Sequence, residues 1–206
     1  MPNETPKDPY RIGPIEPLRA EIGQVVVNHS TCESAIHSLF LTILGKAGLS
    51  DRATRVLVKS QNMKASSMAK TILALLRDGY IGLDDEYLVR IPEAIRGYQK
   101  LSGLRNEVAH WQWAVTDGHK GTLFNDLQAL DPKNPQTTEH TLTTLREISV
   151  GLVAAAVVLN LCATAIASGF QQLWADTALK DIDNRLNELR AKVAALPDPA
   201  AEEMPQ

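Results

Sequence analysis

The sequence predicts an all-α fold, an antiparallel helical bundle with a small β-hairpin after the third helix and an extra helix at the C-terminus. Three observations lead there. Apolar residues recur at spacings of three and four through most of the chain, the period of one helical face. The periodic stretches begin or end at Pro, Ser, Gly and Asp-Gly, the residues that start and stop helices. One short departure, around residues 111 to 124, alternates like a strand pair. With 206 residues, 44% of them hydrophobic, the chain can bury one sizeable core.

The first helix opens on Pro17, a residue suited to the first helical position. Its stripe is Leu18, Ile22, Val25, Cys32, Ile36, Leu39 and Ile43, and Gly45 and Gly48 end it. The second is capped by Ser50 and runs to about Arg77, with a break expected near residues 60 to 62 and a stop at Asp78-Gly79. The third is expected from about Pro92-Glu93, with a core face of Ile95, Tyr98, Leu101, Leu104 and Val108. Trp-Gln-Trp-Ala-Val and Thr-Leu-Phe, separated by Thr-Asp-Gly-His-Lys-Gly, form the hairpin. Of Trp111 and Trp113, one should pack on the bundle. After a loop around residues 131 to 135, a fourth helix is expected from about Thr138 to Ser168. A fifth follows, carrying Leu179, Ile182, Leu186, Leu189, Val193 and Leu196 at alternating spacings of three and four. That seam can pack on its own bundle or on a second chain.

The expected division is a flexible arm over residues 1–14, a helical bundle over 15–170, a packing or dimerisation helix over 171–196 and a disordered tail over 197–206. The polar N-terminus, with five prolines among its first 17 residues, has no leader-like apolar run, so a cytoplasmic protein is expected. Residues 148 to 175 carry no charge and are long enough to span a bilayer. Alanine richness, interrupting polar residues and the lack of flanking cations favour a buried helix, with a membrane span over 148–170 as the lesser alternative. Cys32 and Cys162 lie in helical patterns without CxxC spacing, as reduced core thiols do.

The net charge of −3 excludes a general polyanion coat, so any nucleic-acid site must be local. From Asp51 to Tyr80 there are six basic residues against two acidic ones, an excess of four. Arg52, Arg55, Lys59 and Lys64 are the candidates for RNA phosphates, against the plainer reading of a solvated face. His29, Glu33 and His37 share one helical face, but their outer members are about 12 Å apart on a straight helix, so no metal site and no cofactor are expected. Glu33 borders the core stripe, where an acid needs a partner. Arg105 and Lys64 are the natural ones.

The densest chemistry is Leu-Arg-Asn-Glu-Val-Ala-His-Trp-Gln-Trp, residues 104 to 113. On a helix Asn106 and His110 share a face, Leu104 and Val108 point roughly opposite, and Arg105 lies at the flank. Such residues near a helix end can be no more than a hydrogen-bonding cap. Arg105-Asn106 followed by His110, at the end of the third helix of an all-α chain, resembles the signature of the HEPN superfamily: an Arg, a polar residue, then a His four to six positions after the Arg. The likeness spans the motif and the helix order over roughly residues 15 to 170. It implies a homodimer that brings two motifs into one cleft, and a metal-independent endoribonuclease in which Arg105, Asn106 and His110 are catalytic and Glu33 supports them. A toxin or phage-defence role, with a protein antitoxin as partner, is implied in the same way. In the toxin branch paired with nucleotidyltransferase antitoxins a Tyr that receives AMP follows the His after one residue. Here that position is Gln112, so this regulation is not implied.

The residue types suit that chemistry. RNA carries its own nucleophile, the 2′-hydroxyl, so cleavage needs a base, an acid and a cation for the phosphorane. An imidazole can move either proton, a guanidinium can fork onto the phosphate, and a two-fold dimer pools two of each. The rival reading is a catalytically inactive dimeric binding or scaffolding protein with the same fold.

Overall fold

The computed structural model describes residues 16–79, 83, 85–110, 112–115, 120–125, 136–169 and 172–195. The expected N-terminal arm, Trp111, the hairpin turn and the tail lie outside these residues, as do the side chains of Leu179 and Leu196. Among them the chain forms six helices and one small sheet, an all-α bundle with a β appendage. The order is α1 (Leu18–Lys46), α2 (Asp51–Ser60), α3 (Ala65–Arg77), α4 (Asp85–His110), β1 (Gln112–Val115), β2 (Lys120–Asn125), β3 (Gln136–Thr141), α5 (Leu142–Ser168) and α6 (Gln172–Ala194).

The centre is α1, which packs against α2, α3, α4 and α5. Its stripe is buried as the spacing requires, with Leu18, Val25, Cys32, Ile36, Leu39 and Ile43 fully enclosed and Ile22 partly so. Gly48, at φ +92°, supplies the left-handed turn after the helix. The contacts of Glu33 with Tyr98 and of His29 with Ser102 show that α1 and α4 run antiparallel. Glu21 pairs with Arg146 at 3.0 Å, and Asn28 donates to Ser149 Oγ at 2.6 Å, so α1 and α5 lie alongside in the same direction. Cys32 and Cys162 are free and buried, and burial pushes both thiols up to about 12.

The second helix is broken into α2 and α3 near the expected place: Asn62 takes φ +45° and Lys64 is extended as the residue before α3. Two boundaries differ from expectation. The third helix starts at Asp85 rather than at Pro92, which lies inside it. Asp85 and Glu86 favour the positive end of the helix, and burial of Tyr87 and Ile91 offsets the hydrogen bond that Pro92 cannot donate. The fourth starts at Leu142 because Thr137, Thr138 and Thr141 favour extended backbone, and Thr141 caps α5 by accepting from Thr144 N at 3.2 Å.

Residues 136 to 141 therefore extend the expected hairpin into a three-stranded antiparallel sheet, order β1-β2-β3. Trp113 packs across this sheet: a Cβ on Gly121 would sit 2.5 Å from its ring carbons. Its indole donates to Val108 O at 3.0 Å, satisfying a terminal carbonyl of α4 and fastening the sheet beside His110.

Helix α5 is the one described helix long and apolar enough to cross a membrane, and more than half of its most apolar window is buried in the bundle. The seam of α6 packs within the chain over its described part: Leu186 is buried and α6 lies on α5. Arg90 clamps it from α4, meeting both carboxylate oxygens of Asp183 at 3.3 and 2.7 Å. The pair is partly exposed, so Asp183→Asn is expected to cost up to about 1 kcal/mol. The sharper effect is local: amide exchange in α6 should rise more than in α1, measurable by hydrogen–deuterium exchange.

Candidate functional site

The end of α4 divides as the helical period dictates. Val108 is buried, Leu101 and Leu104 pack on the core, Asn106 and His110 are exposed, and Arg105 is half-buried between the two faces. Arg105 Nη1 donates to Asn106 Oδ1 at 3.1 Å and lies 3.4 Å from His110 Nε2. A guanidinium has only donors, so this contact casts Nε2 as the acceptor and the proton of a neutral ring on Nδ1. Arg105 Nε is enclosed without a hydrogen-bond partner. The three residues named from sequence thus form one cluster: a cation, an amide and an imidazole with its acceptor nitrogen turned toward the cation.

Behind this cluster lies a polar layer between α1 and α4. Tyr98, Ser102 and Arg105 fall at i, i+4 and i+7, one face of α4. His29, only 5% exposed, places Nε2 2.9 Å from Ser102 Oγ and stacks on Tyr98 with ring centroids 5.4 Å apart. Its Nδ1 makes no hydrogen bond and sits 3.8 Å from Glu33 Oε2. The Tyr98 hydroxyl reaches Glu33 Oε1 at 3.5 Å. Burial, reinforced by Glu33, pushes the Tyr98 phenol up to about 12, so it remains a donor.

Glu33 therefore does not partner Arg105 or Lys64 as expected: its carboxylate meets Tyr98 and His29 instead. Two turns of antiparallel offset separate it from Arg105, too far for contact, and Arg105 keeps its fork for the exposed side. Lys64 stands across a groove from Glu33, at the start of α3, and that groove of about 520 Å³ is also lined by Ser30, Ser34 and His37. Arg52, Arg55 and Lys59 are exposed on α2, and Arg55 is paired with Asp51 at 2.9 Å. No described hydrogen bond or ion pair ties these three to the motif. His29 and His37 part company, one in the core and the other at the groove, and among the described residues no group of three His, Cys, Asp or Glu is placed to hold a metal.

From sequence His29 was weighed only as a metal ligand and Tyr98 only as a core residue, and Ser102 was not singled out. The available signal was His29 at core-stripe spacing, four after Val25 and three before Cys32, with an acid one turn on. A second buried imidazole, His140 on β3, lies 3.9 Å from Glu107 and against Trp113, with neither ring nitrogen hydrogen-bonded.

Burial holds both His29 and His140 below the usual 6.5; for His29 the Glu33 carboxylate opposes this and Arg105 adds to it. Well above pH 6.5 both imidazoles are neutral in the folded and unfolded chain. As pH falls below 6.5 the unfolded chain takes up protons that the fold excludes, so stability drops as acid is added. Urea midpoints should thus be highest at about pH 7 or above and fall toward about pH 5. His140→Phe should flatten part of that slope; an unchanged slope would show that His140 does not contribute.

Comparison with protein-family models, with curated proteins and with solved structures finds no match to this chain.

Proposed function

We propose that this chain is a metal-independent endoribonuclease of the HEPN type, acting as a homodimer. The observation that carries the reading is the assembly of Arg105, Asn106 and His110 at one exposed helix end, with His110 Nε2 3.4 Å from the guanidinium. In the proposed reaction Arg105 turns from His110 Nε2 to the phosphate, and the freed Nε2 takes the proton of an RNA 2′-hydroxyl while that oxygen attacks the adjacent phosphorus. Arg105 neutralises the charge that builds on the non-bridging oxygens, and Asn106 orients the guanidinium. The bond to the 5′-oxygen breaks, and the imidazole of the second copy protonates the leaving group. The products are a 2′,3′-cyclic phosphate and a 5′-hydroxyl.

In this reading Lys64 and the exposed α2 cations Arg52 and Lys59 are the candidate phosphate contacts, screened by salt as such contacts are. A cytoplasmic toxin or phage-defence effector, held in check by a protein antitoxin, is the cellular role consistent with this chemistry. The experiment is incubation of the purified chain with end-labelled RNA in excess chelator, with gel filtration in parallel. A dimer that yields cyclic-phosphate ends supports the reading. The second reading, a catalytically silent dimeric binding protein, is favoured by the enclosed Arg105 Nε, which suits a guanidinium serving as a local cap. A dimer that binds RNA or protein without cutting would establish it.

A further inference from the structure

Glu33 stands beside neither of the cations expected for it, yet its side chain is held in place and 45% exposed. On one side Tyr98 and His29 fix the carboxylate. On the other it faces the groove between α1 and α3, where Lys64, His37, Ser30 and Ser34 converge. The hydroxyls of Ser30 and Ser34 donate to the carbonyls of Val26 and Ser30, so toward the groove they present only acceptor lone pairs. The α3 end of the groove is electropositive. Lys64 does not cap the helix with its side chain, no acid lies in the first turn, and the first amides of α3 have no partner within the helix. His29, nine-tenths buried with a free Nδ1 behind Glu33, adds a polar wall rather than an apolar one.

We propose that this groove is the subsite for a guanine nucleotide next to the scissile phosphate, with Glu33 reading the base and Lys64 holding its phosphate. The inference rests on the ribonuclease reading for its placement. Glu33 lies about 10 Å, two helical turns, along α1 from the level of Arg105, the spacing of a neighbouring nucleotide rather than of the reacting one. The choice of base follows from hydrogen-bond inventory. A carboxylate only accepts, and after the Tyr98 hydroxyl takes one lone pair the other positions remain open, with His29 Nδ1 3.8 Å away and not hydrogen-bonded. The Watson–Crick edge of guanine offers two adjacent donors, N1–H and the N2 amino group, which match a carboxylate in a bidentate pair. Adenine and cytosine each set an acceptor beside their single amino group, and uracil sets carbonyls on both sides of its one N–H. These present repulsion where guanine presents a bond. A base in a single strand has that edge free to be read.

The test uses the full chain and fluorescent oligoribonucleotides identical except for one G, A or inosine. Binding is read by anisotropy on His110→Ala, so that cleavage does not interfere, and cutting is read on the unaltered protein. The G oligomer is expected to bind about 10-fold or more tighter than the A oligomer, the discrimination of one bidentate pair. Inosine, which keeps N1–H but lacks the N2 amino group, should fall between them. Adding Glu33→Gln to the His110→Ala background should bring the G-to-A ratio close to one, while Glu33→Asp keeps most of it. Equal binding of G and A, or a ratio untouched by Glu33→Gln, overturns the proposal. Should Glu33→Gln melt early, the inosine series repeats the test on an unaltered Glu33. Guanine preference without any cutting would leave the subsite standing and sink the ribonuclease reading. Cutting without base preference would do the reverse.

Discussion

His110→Ala is expected to lower RNA cleavage by about 100- to 10,000-fold, the contribution of one positioned proton-transfer group. His110 is exposed at the last residue of α4, so the truncation removes no core packing, and melting curves should overlay those of the parent protein. Arg105→Lys keeps the charge but loses the planar fork that meets Asn106 and, in the proposed reaction, the phosphate, and should fall nearly as far. The losses should not add: if cation and imidazole act on one phosphorane, the double variant is little worse than either single one. Cleavage by the parent chain must persist in excess chelator. If His110→Ala cuts RNA as fast as the parent, the imidazole has no part in the reaction and the proposed function fails.

Phe40→Ala should produce the largest loss of stability, about 3 to 5 kcal/mol. Phe40 is 1% exposed on α1, the helix against which α2, α3, α4 and α5 all pack. Removing the ring leaves a cavity bounded by several helices, none of which can close it without leaving its other contacts. For a chain of this size the melting temperature should fall by on the order of 10 °C. The effect should spread, with amide protection lost across α1, α3 and α5 together. In contrast, Asp183→Asn is expected to loosen α6 alone. A drop below about 1 kcal/mol would mean that the site collapses readily and that α1 is not the rigid centre of the bundle.

Much of the fold was legible because one-sided burial prints a helical period on the sequence. The stripes of α1 and α4 follow from spacing alone, and so does the division of the motif between Leu104 and Val108 on one side and Asn106 and His110 on the other. Boundaries were less legible where local rules compete. Pro92 signals a helix start, but burial of Tyr87 and Ile91 carries the helix through it. Thr137 to Thr141 sit upstream of a helical pattern, yet pairing with β2 claims them as a third strand.

The sequence by itself determined that helices would form, which faces they would bury, and that a cation, an amide and an imidazole would meet at the end of α4. All of that is short-range: it depends on residues within two turns of each other. Only the tertiary structure decided the partners across helices. The antiparallel register of α1 on α4 gives Glu33 to Tyr98 rather than to Arg105, and the break at residues 61 to 64 brings Lys64 across the groove from it. A carboxylate at the edge of a core stripe must find donors, but the periodicity of one helix says nothing about which donors a second helix presents. That depends on how far one helix slides along the other, and packing of the whole core sets that distance.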